Sequence, residues 1–278
     1  MDPDDLRQIA ARLAWLENRS YGARAVYMGE GRVLTQSNFH GLMYLVDASD
    51  HVIVPHFIMD GVFETDVTLF FLRNIRPDSR CVDVGANFGY YTCMMARLAP
   101  QGQTIGIEVD PRMFEFLREN VVLNWLGNAT ALNLAVSDSD KELTFYRRKN
   151  RSSNTGIIHL DNDDGSAAER FTIKSSALDN IISYAVDFMK VDVEGAETLV
   201  FRGARGLIAQ NPGIQIVMEW APDQMKAAGF SPAELTDELA ALDLVPNIMQ
   251  HDGNQISCAW ADVRTKDLCN ILMRRSAP

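Results

Sequence analysis

Residues 81–92, CVDVGANFGYYT, run from an apolar strand (Cys81, Val82, Val84) through the turn Gly85-Ala-Asn87-Phe-Gly89 into a helix carrying Tyr90, Tyr91, Met94 and Met95. Gly85 and Gly89 have no Cβ, so they admit positive φ and let a ligand come close to the backbone. A second strand, TIGIE at 104–108, ends in Glu108, a carboxylate able to accept from both hydroxyls of a ribose. A glycine turn after one strand and an acid at the end of the next have the spacing of a nucleoside site.

The chemistry of the turn narrows the cofactor. Dinucleotide folds use G-x-G-x-x-G to set backbone amides against a pyrophosphate, whereas this chain has Asp83-x-Gly85-x-Asn87-x-Gly89. An acid before the first glycine repels a pyrophosphate and suits the ammonium of a methionine moiety. The run resembles the first motif of class I S-adenosylmethionine-dependent methyltransferases. That resemblance implies that Asp83, Gly85, Asn87 and Gly89, with Tyr90 beside them, hold the methionine end. It also implies that Glu108 and Val109 meet the ribose and that Ala135 and Val136, in the run to Asp138, lie near adenine.

From Val67 onward strands alternate with helices: helix 66–74, strand 80–84, helix 89–98, strand 104–108, helix 111–125, strand 130–136, then strands ending near Val191 and Trp220. Such alternation builds a parallel sheet with helices on both faces. The expected architecture is therefore α/β, a Rossmann-like domain over 61–278. Residues 1–60 read as an extension, with an amphipathic helix over 3–17 (Leu6, Ile9, Ala10, Leu13, Leu16) followed by the β-rich runs AVYM, RVLTQ, LMYLVD and HVIVPHF. A polar flap is expected between strands 142–146 and 171–174. A helix from about Pro232 to Leu242, capped by Ser231, precedes strands near 245–249 and 268–273.

A chain of 278 residues, 47% hydrophobic, buries one large core plus an appendage. No run approaches the ~18 uninterrupted apolar residues of a membrane span. The segment MDPDDLRQ is acidic where a signal peptide is basic. Cys81, Cys93, Cys258 and Cys269 form no C-x-x-C pair, so neither a zinc site nor a disulfide framework is expected, and the compartment is read as cytoplasmic. A net charge of -11 opposes binding to a phosphate backbone, so no nucleic-acid partner is expected. The basic run Arg147-Arg148-Lys149 with Arg151 reads as a solvated loop.

In an open α/β sheet the ligand lies beyond the carboxyl ends of the strands. The sequence places there Asp83, Glu108 with Asp110, Ser137 with Asp138, Asp192 with Glu194, and Glu219 with Trp220. Asp110, before Pro111, also reads as a helix cap. In KVDVEGAE (190–197), Val191 and Val193 pack into the sheet layers while Asp192 and Glu194 end the strand and Gly195 turns it. The N-P-P-Y run that holds an exocyclic amine in DNA amino-methyltransferases is absent here. A carboxylate pair suits a hydroxyl acceptor, which attacks well only as its proton leaves. Asp192, Glu194 and His251 are the candidate catalytic residues, with His56 the other histidine retained. The acids lack the spacing of a metal cage, so no metal is expected.

Taken in order, VDVGANFGYYT, GIEVDP, NLAVSD, KVDVEGAE and VMEW resemble an FkbM-type methyltransferase over about residues 60–220. The resemblance implies a Rossmann-like class I fold, S-adenosylmethionine as methyl donor, and O-methylation of a small-molecule or glycan acceptor, a sugar or polyketide-type hydroxyl. The run GVFE at 61–64 resembles the family's segment before the first motif and makes Glu64 a cofactor contact, with Asp192 shared between cofactor and acceptor. An amine acceptor, or cofactor binding without turnover, is the alternative, and a homo-oligomer is left open.

Overall fold

A computed structural model describes residues 25–51, 53–148, 155–156 and 167–275. The helix expected over 3–17, together with Lys149 and Arg151 of the basic run, lies outside the described residues. Strands β1 (Val26–Gly29), β2 (Arg32–Gln36) and β3 (Met43–Asp47) form an antiparallel sheet of their own. Of the run HVIVPHF, expected as a strand, Ile53 to Phe57 instead open a helix over Ile53–Asp60. Asp50 accepts from the Ile53 N–H at 2.7 Å, and Pro55 fits the first turn, so local capping overrides the β-branched residues.

The main sheet begins with β4 (Arg80–Val84), β5 (Gln103–Glu108) and β6 (Ala129–Asn133), all parallel. The strand expected over 130–136 is broken: Asn133 Nδ2 donates to the carbonyls of Glu108 and Val109, and β7 (Ala135–Val136) leaves the sheet. β7 joins β8 (Lys141–Arg148), β9 (Thr155–Gly156) and β10 (Ala167–Ser176) in a second sheet, so the described arms of the flap are the antiparallel pair β8 and β10. The chain returns to the main sheet through β11 (Phe188–Val191), β12 (Gln215–Trp220), β13 (Leu244–Met249), β14 (Gln255–Ser257) and β15 (Cys269–Arg275). Its order is β14-β13-β15-β12-β11-β4-β5-β6, with β15 antiparallel to both neighbours. Strand β14 and the short helices Pro222–Ala227 and Trp260–Val263 are additions to the sequence reading.

Strands β4 and β11 are buried on both faces, which accounts for apolar residues on both (Cys81, Val82, Val84; Phe188, Met189, Val191). Val82, Val84, Met189 and Val191 pack into one core with the helices Glu197–Arg202, Arg205–Gln210 and Pro232–Ala241. Cys81 and Phe188 face the other core, shared with Ile53–Asp60, Thr65–Asn74, Tyr90–Leu98 and Pro111–Leu123. Two-residue alternation therefore sends Asp83 and Lys190 into the second layer as well.

The small sheet is held by side chains acting as a strand. Asn120, fully buried on helix Pro111–Leu123, accepts from Leu45 N at 2.7 Å and donates to Leu45 O at 2.9 Å and Phe88 O at 2.8 Å. One turn on, Asn124 accepts from Met43 N at 3.0 Å and donates to Met43 O at 2.7 Å. A spacing of i, i+4 on a helix rises about 6 Å, close to the roughly 6.7 Å between alternate strand residues, so two carboxamides satisfy alternate residues of the β3 edge. Arg32 on β2 adds a paired contact to Glu119 at 2.9 and 3.2 Å.

Replacing Asn120 strands three backbone groups, each costing about 1–3 kcal/mol where water cannot reach it. Asn120→Ala is expected to lower unfolding free energy by about 2–4 kcal/mol, whereas Arg118→Ala, which removes an exposed pair with Glu115, stays within about 0.5 kcal/mol. Urea denaturation of the two variants beside the parent protein checks this.

Candidate active site

The site is assembled at the carboxyl ends of β4, β5, β11 and β12. Gly85 (φ 82°) has no room for a side chain, because a Cβ there would stand 1.7 Å from the Asp192 carbonyl oxygen. The end of β11 thus crosses the turn after β4 in backbone contact, joined by Asp192 N–H to Val84 O at 3.0 Å. Asn87 follows in left-handed geometry (φ 50°) and donates its N–H to Glu108 Oε2 at 2.7 Å. The second oxygen of Glu108 accepts from Asp110 N at 2.7 Å. Burial nevertheless dominates, pushing the Glu108 pKa up to about 8.

Asp83 lies deeper. Its Oδ2 accepts from Thr92 Oγ1 at 2.6 Å, and its Oδ1 is sealed from solvent without a hydrogen-bond partner. Burial raises its pKa against the opposing pull of Lys190 and Thr92. Gly89, the residue before helix Tyr90–Leu98, packs on Leu117.

At the β11 end, Lys190 is only 4% exposed; its Nζ donates to Asp192 Oδ2 at 2.8 Å and sits 3.8 Å from Glu64 Oε2. It also lies over the Tyr91 ring, 4.7 Å from the centroid, a favourable cation–π placement. Burial opposes its charge, but Asp192, Glu64 and Asp83 outweigh that penalty and hold its pKa above the ordinary lysine value. Glu64 has a left-handed backbone (φ 42°), its Oε2 is sealed without a hydrogen bond, and burial raises its pKa despite Lys190.

Glu194 is also left-handed (φ 56°). Burial, then Asp192 and Glu219, push its pKa up to about 9. Glu219, at the end of β12, is pushed up to about 8 by burial and by Asp192 and Glu64. Beneath them Glu197 is fully buried and accepts from Gly195 N at 3.2 Å; burial raises its pKa to about 7. Gly195 (φ 101°) lets the turn meet helix Pro222–Ala227, since a Cβ would come within 2.5 Å of the Gln224 carbonyl. The neighbouring Gln224 side chain has its Oε1 buried and unpartnered.

These elements enclose a cavity of about 250 Å³. It is lined by Glu64, Gly85, Asn87, Tyr90, Glu108, Val109, Ala135, Val136, Asp192 and Glu194 from the sequence expectation. The wall also includes Lys190, Glu219, Gln224, Phe63, Tyr91, Leu134 and Phe145. Lys190 carried a readable signal, since strand periodicity puts it on the same face as Asp192; Gln224 carried none. Asp83 and Gly89 stand behind the wall.

The structure does not bring His251 to the cavity. It is exposed in the turn closing β13 and β14, where Arg73 Nη1 donates to the adjacent Asp252 carbonyl at 2.8 Å. Its strand is separated from β12 by β15. The His56 side chain lies outside the described residues. Among those described, no group of three histidines, cysteines or acids is arranged to hold a metal ion, and no helix is long and apolar enough to cross a membrane.

The chain matches the Methyltransferase FkbM domain over residues 83–245. Methyltransferase sdnD of Sordaria araneosa is 24% identical over 210 residues, covering 55% of this chain and 81% of that protein. Methyltransferase 1 of Beauveria bassiana (strain ARSEF 2860) is 29% identical over 145 residues, covering 45% of this chain and 58% of that protein. The crystal structure of Methyltransferase FkbM from Methylobacillus flagellatus KT aligns with a TM-score of 0.48 at 16% identity, covering 74% of this chain and 47% of that one. The chain thus spans less than two thirds of the Beauveria and Methylobacillus proteins. The matched segment runs from Asp83 on β4 through both carboxylate-bearing ends of β11 and β12 to β13, and on that match the chain belongs to the FkbM methyltransferase family.

Proposed function

We propose that this protein is an S-adenosylmethionine-dependent O-methyltransferase acting on a hydroxyl of a sugar, glycan or polyketide-type small molecule. The observation that carries the reading is one cavity with Glu108 at one end, Asp192 and Glu194 at the other, and the bare backbone of Gly85 between them. The residues fit the cofactor: the turn presents the backbone of Gly85 and Asn87 to the cavity, and Glu64 Oε2 is a buried acceptor without a hydrogen-bond donor. When bound, S-adenosylmethionine supplies an electrophilic methyl group on a sulfonium.

In this reading Glu108 accepts from the ribose hydroxyls, Ala135 and Val136 flank the adenine, and the Gly85–Gly89 turn cradles the methionine end. Asp83, behind the turn, adds negative potential to that end, and Glu64 accepts from the ammonium. Lys190 fixes one oxygen of Asp192, which orients the acceptor hydroxyl. Glu194 takes the hydroxyl proton. Its raised pKa makes it a stronger base, once ionised, than an ordinary carboxylate. Alignment of the acceptor in a desolvated pocket supplies most of the remaining acceleration.

Three outcomes test this. Glu108→Ala is expected to weaken S-adenosylhomocysteine binding at least tenfold in calorimetry, the loss of about 1.5–3 kcal/mol from a charge-assisted contact; unchanged affinity removes Glu108 from the site. Glu194→Gln keeps the shape and cannot take the proton, so kcat is expected to fall by about 10²–10⁴ with cofactor affinity and melting temperature nearly unchanged. Full activity in that variant overturns its role.

The third outcome concerns pH. Glu108, Glu194 and Glu219 hold protons in the folded protein up to about pH 8–9, whereas unfolded glutamates lose them near pH 4.3. The folded state binds more protons across that window, so stability declines as pH rises through it and levels off above about pH 9. Melting curves of the cofactor-free protein from pH 5 to 9 are expected to show the decline, and saturating S-adenosylmethionine to reduce it.

A further inference from the structure

The cavity wall holds more carboxyl groups than the cofactor needs. Five carboxylates line it (Glu64, Glu108, Asp192, Glu194, Glu219) against the single ammonium of Lys190. S-adenosylmethionine, with a sulfonium, an ammonium and a carboxylate, brings a net charge of only about one. The surplus is also one-sided. Glu108 ends β5, whereas Glu219 ends β12, three strands across the sheet through β4 and β11. At about 4.8 Å per strand, that is roughly 14 Å, so Glu219 stands beyond the methionine end, on the acceptor side.

The hydrogen-bonding inventory of that side points the same way. Gln224 Oε1, which lines the cavity there, is buried without a hydrogen-bond partner. Unpaired buried acceptors are costly, and each is relieved only by a donor. Lys190 cannot serve an incoming anion, because it is buried, bonded to Asp192 and flanked by Glu64. Among the described lining residues there is no second cation.

We propose that the acceptor carries a protonated amine near the hydroxyl that is methylated, as in an amino sugar or amino alcohol, and that Glu219, with Gln224, is the subsite for that ammonium. An ammonium has three donors and no acceptor, matching the Glu219 carboxylate and the unpartnered Gln224 Oε1. With no cation beside them Glu194 and Glu219 are kept from ionising, pushed up to about 9 and 8 by burial and by the nearby Asp192; a bound cation removes that penalty. Acceptors with a phosphate or carboxylate next to the reacting hydroxyl meet no free cation there. This inference rests on the methyltransferase reading above and adds the charge of the substrate to it.

The test uses protein saturated with S-adenosylhomocysteine and one scaffold in three forms: 2-amino-2-deoxyglucose, glucose and glucuronic acid. Binding is read as a shift in melting temperature and by competition with any methylated acceptor. The amine is expected to bind at least tenfold more tightly than glucose, and glucuronic acid not measurably. Glu219→Gln is expected to abolish most of the amine's advantage while leaving S-adenosylhomocysteine affinity within about twofold. An amine that binds no better than glucose, or an advantage that survives Glu219→Gln, overturns the subsite. Failure of S-adenosylhomocysteine itself to bind would instead remove the cofactor reading, and this inference with it.

Discussion

A buried ammonium governs this site. Lys190 stands on a central strand with Asp192 at 2.8 Å, Glu64 at 3.8 Å and the Tyr91 ring beneath it. Carboxylates crowded into a desolvated pocket repel one another, and an uncompensated buried charge costs several kcal/mol. The ammonium lets Asp192 and Glu64, from β11 and from the start of helix Thr65–Asn74, share one wall. It also explains why the two layers meet here, since Lys190 must face the aromatic core for its charge to reach both partners.

The surrounding frame is held by polar contacts to backbone. Tyr91 Oη lies 3.4 Å from the carbonyls of Phe63 and Glu64, and Tyr44 Oη donates to Tyr90 O at 3.1 Å. The Asn120 carboxamide links β3 to the carbonyl of Phe88, one residue past Asn87 and its bond to Glu108. The small sheet is thereby mechanically continuous with the glycine turn, although among the described residues no strand pairs across the boundary.

The glycine turn, Glu108, and the pair Asp192 and Glu194 were legible because they are local: a glycine between a strand and a helix, or an acid ending a strand, reports the backbone at that point. Lys190 was half legible, its periodicity plain but its partners dependent on which helix covers that face. His251 was misplaced for a different reason. Strand order is not written in sequence order, and the insertion of β15 between β12 and β13 moves the hairpin turn away from the cavity. The break between β6 and β7 was hidden because NLAV has no glycine or proline to mark it. Nothing in the sequence singles out Asn120 and Asn124, and only the fold reveals them as a substitute strand.

Six non-glycine residues among those described have left-handed backbones, and three of them, Glu64, Asn87 and Glu194, line the cavity. Such geometry costs about 1 kcal/mol or more per residue relative to ordinary helix or strand. Their side chains are therefore presented from places where glycine would be the more comfortable choice. The side chains at these positions therefore serve the cavity rather than the backbone that carries them. Stabilised variants obtained by screening for thermal tolerance should accordingly be inspected at these three residues first, because there tolerance and chemistry pull in opposite directions.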